Sequence, residues 1–271
     1  LAQRPWPLGI AAFATMTIAG AWHWTLYRAF ATRIPQHWDW DALAGGLWYS
    51  VPLLGILMAH EAGHRLACHH YGVAISAPFI IPAPWLTVGT FGSFSLITDQ
   101  INTRRALIAI GASGPLAGFA VIVPCAVVGL AWSVPTDQLV TYGRLLGEPA
   151  LFKILGTGGV LHPLTVAAWT GCSMTALHLL PVDNFDGGKI IAGLSPRAFR
   201  IVAVLAFAVV FALSSLRLVA TLATVAVVWT WLLSGGVSDP VQDRTPLRWW
   251  EWGWIVASGV VGWLCVPGMP G

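Results

Sequence analysis

The chain has 271 residues, 56% of them hydrophobic and only 9% charged, with a mean hydropathy of +0.73. A water-soluble domain carries about 25% charged residues, so these charges are too few to cover a water-facing surface and the surplus apolar residues are expected to face lipid. The net charge of +3 is small and the longest basic run is the pair Arg104-Arg105, so no nucleic-acid partner is expected.

The chain begins with Leu1, so its native start is expected to lie upstream. The apolar run after Arg4 is too long for a signal peptide and lacks a small-residue cleavage site, so it reads as a retained span. A helix needs about twenty apolar residues to cross a bilayer. By that measure spans are expected over residues 7–27, 43–68, 106–132, 163–180 and 250–266. The apolar stretch 201–233 is interrupted by Ser214-Ser215-Leu216-Arg217 and reads as a helical hairpin turning at Arg217. The expected fold is an α-helical integral membrane protein of about six or seven transmembrane helices. Sixteen tryptophans suit its interfaces with water.

The segment between the second and third spans differs in kind. Residues 74–95 read AISAPFIIPAPWLTVGTFGSFS. Prolines break helices, and glycines alternating with β-forming residues predict short extended strands. Irregular backbone at membrane depth is tolerated only where protein or a cavity satisfies it, so a short re-entrant β-hairpin is expected here. The third span carries Gly111-Ala-Ser-Gly114-Pro115-Leu-Ala-Gly118, whose small residues predict close packing against the second span. Residues 134–162 are too few for an independent soluble fold. Three regions follow. Residues 1–42 hold the first helix and a loop, 43–200 a membrane core, and 201–271 the C-terminal helices. With seven spans, nine Lys and Arg fall on one side and five on the other. That places the N-terminus inside and the end of the second span near the cytoplasm. The scattered cysteines Cys68, Cys125, Cys172 and Cys265 read as small buried hydrophobes, with no disulfide or cysteine metal site expected.

The chemistry centres on His60-Glu61-Ala62-Gly63-His64. Two histidines four apart share one helix face and can grip one ion, while the intervening Glu61 can reach a metal-bound water. An acidic side chain at bilayer depth costs about 2.5 kcal/mol or more, and ionisable residues there are usually functional. Catalytic zinc takes three protein ligands. Among the remaining groups, His69 and His70 read as solvated interfacial residues and His23 as a packed core histidine. Asp186, in Pro181-Val-Asp-Asn184-Phe-Asp186-Gly-Gly-Lys189, is the best candidate for the third ligand. Taken in isolation it reads rather as a helix cap or turn residue.

The run HEAGHRLACHHYGV at 60–73 resembles the site-2 protease family, whose motif is HExGH followed by Tyr-Gly. The family's second motif, Asn-x-x-Pro-x-x-x-x-Asp-Gly, reads here from His178 through Pro181 to Asp186-Gly187. Gly89-Thr-Phe-Gly92 and Ser113-Gly-Pro-Leu116 resemble the family's hairpin and third core helix. The resemblance covers most of residues 47–246 and suits the branch without an inserted peptide-binding domain. It implies an intramembrane zinc metalloprotease with a three-helix catalytic core. One Zn²⁺ per chain would be held by His60, His64 and Asp186, with Glu61 as general base and acid. Its substrate would be a transmembrane protein or peptide, cut near the cytoplasmic side of a bacterial cytoplasmic membrane in preference to a plastid one. Where the family has Asn, this chain has His178. It can serve as an oxyanion donor or as a further zinc ligand, and Asn184 is the alternative substrate-binding residue. A zinc-binding, non-proteolytic membrane chaperone or assembly factor is the competing expectation, and an ion transporter the weaker third.

Overall fold

The structure, a computed structural model, describes residues 6–33, 37–135, 147–181, 185–195, 243 and 245–268. Helix α1 spans Trp6–Thr32, α2 Trp40–Gly45 and α3 Leu47–Tyr71. Asp39 caps α2 by accepting the Ala42 N–H at 2.8 Å, which satisfies one of the free amides of a helix start. Gly46 keeps helical dihedrals, so α2 and α3 form one nearly continuous rod. Helix α4 spans Arg104–Ala131, α5 Ala150–Leu155, α6 Pro163–His178, α7 Asp186–Leu194 and α8 Trp249–Cys265. Two stretches of the described residues, Trp40–Tyr71 and Arg104–Ala131, are long and apolar enough to cross a membrane.

The expected spans at 7–27, 106–132, 163–180 and 250–266 coincide with α1, α4, α6 and α8. The expected span at 43–68 becomes α2 followed by α3. The hairpin expected over 201–233, with its turn at Arg217, lies outside the described residues, as does most of the 201–271 region.

Between α3 and α4 the chain forms an antiparallel hairpin, β1 Phe79–Pro82 with β2 Thr90–Phe94, in the register Phe79–Phe94, Ile80–Ser93 and Ile81–Gly92. Pro82 pairs with Thr90, so Phe91 is the extra residue of a β-bulge. A shorter ladder joins β3 Glu148–Pro149 to β4 Pro267–Gly268. The tip of the hairpin is seated by side chains that take up its carbonyls. Thr15 donates to Gly89 O at 2.6 Å and Tyr49 to Val88 O at 2.9 Å, while His23 Nε2 lies 3.1 Å from Thr87 O. Such carbonyls need partners once buried. Gly89 adopts φ +76° with α1 against it, and a Cβ there would come within 2.6 Å of Met16 Cα. His23 is thus buried, as expected of a core histidine, and it helps hold the hairpin tip.

Helix α4 packs against α3 on one side and against α6, α7 and α8 on the others. The shared core holds Tyr49, Leu53, Ile56, Ile122, Ala168 and Cys172. Arg104, at the start of α4, donates to the carbonyls of Gly193 and Leu194 at 2.7 and 2.8 Å. It thereby satisfies the open C-terminus of α7 and ties the two helices together. Large apolar side chains stand exposed on the outer faces, among them Trp22 of α1 and Trp249, Val256 and Trp263 of α8.

Candidate metal centre

Three elements converge on one buried point. Helix α3 supplies His60, Glu61 and His64 from consecutive turns, and α7 opens on Asp186. Helix α4 closes the space behind them. Its backbone lies directly on the histidines: a Cβ at Gly114 would stand 2.3 Å from His64 Nε2, and one at Gly63 of α3 would stand 2.3 Å from the Ser113 carbonyl. The small residues of the third span therefore serve the packing expected of them.

Asp186 does not cap α7. Phe185 occupies the N-cap and Asp186 is the first helical residue. Its carboxylate turns to the imidazoles, with Oδ2 3.2 Å from both His60 Nε2 and His64 Nε2. The two imidazole nitrogens are 3.0 Å apart. None of these three residues, nor Glu61, is more than 7% exposed.

The donor set fits zinc. Bonds of about 2.0–2.2 Å to nitrogen and oxygen in a tetrahedron place the donor atoms about 3.3–3.5 Å apart, and the observed edges are 3.0, 3.2 and 3.2 Å. His60, His64 and Asp186 thus form a group able to hold a metal ion. The tautomer fits as well. His64 Nδ1 lies 2.8 Å from the Ile110 carbonyl. A carbonyl only accepts, so Nδ1 carries the proton and Nε2 presents a lone pair to the centre. Lys189, one turn into α7, donates to the outer oxygen of Asp186, Oδ1, at 3.0 Å. That contact directs Oδ2 alone at the histidines.

His178, at the end of α6, approaches through Nδ1, 3.0 Å from His60 Nε2 and 3.8 Å from Asp186 Oδ2. Its ring neighbours the phenyl groups of Phe94 and Phe185, with centroids 6.0 and 6.1 Å away. Glu61 faces the hairpin. Its Oε1 accepts a hydrogen bond from Ser93 Oγ at 2.8 Å, and its Oε2 accepts one from Ser95 Oγ. The structure therefore brings together His60, Glu61, His64, His178 and Asp186. Asn184 lies outside the described residues. His69 and His70 are exposed at the end of α3, as expected. The cysteines are free, and only Cys125 is not fully buried.

Sequence reasoning missed Ser93, Ser95 and the role of Lys189. A signal existed for each: serines two apart on a strand share a face, and Lys189 is three residues from Asp186 on a helix.

A sequence model of peptidase family M50 matches residues 48–216. The chain is 34% identical over 156 residues to the probable zinc metalloprotease EGY1, chloroplastic, of Arabidopsis thaliana, covering 52% of this chain and 28% of that protein. It is 31% identical over 163 residues to the probable zinc metalloprotease EGY2, chloroplastic, of the same plant, covering 55% and 28%. A longer match, 26% identical over 236 residues, joins it to the probable zinc metalloprotease EGY3, chloroplastic, of Oryza sativa subsp. indica, covering 77% and 39%. The chain thus spans less than a third of the length of the first two relatives. No solved structure matches it. The family match covers the HExGH motif, the hairpin and the Asp-Gly helix, and the chain belongs to peptidase family M50.

Proposed function

We propose that the chain is an intramembrane zinc metalloprotease that cuts membrane-spanning segments near the cytoplasmic side of the bilayer. The observation that carries this reading is the tight triangle of His60 Nε2, His64 Nε2 and Asp186 Oδ2 with the carboxylate of Glu61 on the next residue. A zinc ion bound there supplies Lewis acidity, making water more acidic and polarising a carbonyl. Glu61 takes the proton of the attacking water on its carboxylate and delivers it to the leaving amine nitrogen. His178 donates from its ring to the carbonyl oxygen as charge develops there, the role for which Asn184 is the alternative. A helix has its amides already bonded, so the substrate must unwind, and β2 offers an edge on which the unwound strand can pair. The proposed substrates are membrane-anchored regulators or signal-peptide remnants. The proposed location is a bacterial cytoplasmic membrane; the relatives are named as chloroplast proteins, and the same chemistry serves in either membrane.

The test is cleavage in proteoliposomes of a peptide with a single transmembrane segment. The reading predicts a cut within the apolar segment, lost with a chelator and restored by zinc. A cut confined to the flanking soluble residues would overturn it. One observation favours a second reading. His178 Nδ1 stands only 3.0 Å from His60 Nε2, which crowds the centre as a structural zinc site would. A non-proteolytic chaperone or assembly factor would hold zinc in the same assay and release no product.

A further inference from the structure

We infer that Ser93 and Ser95 are positioning residues that fix the carboxylate of Glu61 from the hairpin, so that the seating of β2 sets the catalytic rate. The inference rests on the proteolytic reading above and adds two residues that carry no assigned role.

The geometry begins with the bulge. Phe91 is the unpaired residue of β2, and Gly92 follows it at φ +108°, a conformation closed to most side chains. Such a bulge re-aims the strand beyond it. Thr90 holds the distortion in place: its hydroxyl donates to Ile81 O at 2.8 Å and accepts the Gly92 N–H at 3.0 Å. Beyond the bulge, Ser93 lies within β2 and Ser95 just past its end, and both hydroxyls turn to Glu61 of α3. Each donates to a different oxygen of Glu61. Ser93 itself is 1% exposed.

Two hydroxyls on two oxygens do more than satisfy a buried acid. They fix the plane of the carboxylate against a strand whose register is set by pairing with β1. Each carboxylate oxygen retains a further lone pair for the attacking water. The hydroxyls point at α3, while the edge proposed to pair with substrate is backbone. Removing the hydroxyls therefore perturbs the base and takes no hydrogen-bonding group from the docking edge. Flexibility of the base degrades the attack geometry, where misplacement by about 1 Å can cost 10²-fold.

The experiment uses the full zinc-loaded chain in proteoliposomes, with steady-state kinetics on a transmembrane peptide. Ser93→Ala and Ser95→Ala are each expected to lower kcat about tenfold, and the double variant about a hundredfold, within the range for a positioned general base. KM and zinc content stay within twofold, and Ser95→Thr, which keeps the hydroxyl, retains at least half of the wild-type kcat. Wild-type kcat in the double variant overturns the inference, as does a raised KM at unchanged kcat, which would make the serines recognition residues. A second arm needs no activity. In Glu61→Ala the amides of residues 90–95 should exchange with deuterium at least tenfold faster than in the wild type. Unchanged exchange overturns the latch. If the wild-type chain cleaves nothing, the proposed function falls, and the exchange arm alone decides whether the latch exists.

Discussion

Helix α6 carries a histidine packed into the molecule at each end, and the two ends do different work. At its start, His162 is the N-cap, its Nδ1 accepting the Leu164 N–H at 3.2 Å. Around its ring stand Trp24, Tyr27, Trp48 and Trp132, with centroids 4.9–6.0 Å away. At its end, His178 meets His60 Nε2 and Asp186 Oδ2. The first histidine is enclosed by rings and spends its lone pair on a backbone amide. The second stands beside His60, His64 and Asp186, a group able to hold a metal ion. Both histidines are packed into the fold, and what separates them is their surroundings: aromatic rings at one end, possible metal ligands at the other.

The predictions that would break this contrast begin with the ligands. His60→Ala and Asp186→Ala should each reduce bound zinc from one per chain to near zero, as read by elemental analysis of the purified protein, whereas His162→Ala should leave it unchanged. Gly114→Ala belongs to the same class. Its methyl would fall 2.3 Å from His64 Nε2, and zinc should be lost although no ligand is altered. Next is His178→Ala. Loss of one donor to a developing oxyanion costs about 10²–10³ in kcat, and zinc content should persist; loss of zinc instead would make His178 a ligand. Lys189→Met should weaken zinc affinity about 10–100-fold, the usual cost of a lost partner to a metal ligand, as measured by competition with a chelator. The smallest effect concerns the other end of α6. Burial pushes the pKa of His162 from 6.5 down to about 4. The folded state then binds fewer protons than the unfolded, so its stability is intact above pH 6.5 and is lost as pH falls through about 4. His162→Asn, which keeps a capping oxygen, should flatten that part of the pH–stability curve measured by thermal unfolding.

Much of this was legible in the sequence because a bilayer makes strict demands. An apolar run of about twenty residues has few alternatives to a helix, and α1, α4, α6 and α8 fell where such runs stand. His60, Glu61 and His64 were legible because helical geometry alone brings residues four apart onto one face. Asp186 was not legible by that route, since 122 positions in the numbering separate it from His64. Only the resemblance of Pro181 to Gly187 to a known motif joined the two. Ser93 and Ser95 stayed hidden for a different reason. Their partner lies 32 and 34 residues away, and which face they present depends on a one-residue bulge. A one-residue slip reverses every side chain on a strand, so a pattern of alternation cannot assign the face without the register. The seating of the hairpin tip by Thr15, His23 and Tyr49 was equally hidden, because it joins three side chains to carbonyls, which leave no mark in the sequence.

The most direct test of the central claim measures zinc and cleavage together in Glu61→Gln, purified and reconstituted beside the wild type. The account predicts one zinc per chain in both proteins and product only from the wild type, because the ligands are intact and the base is gone. Equal product from Glu61→Gln, or a wild-type chain that cleaves without zinc, would contradict it.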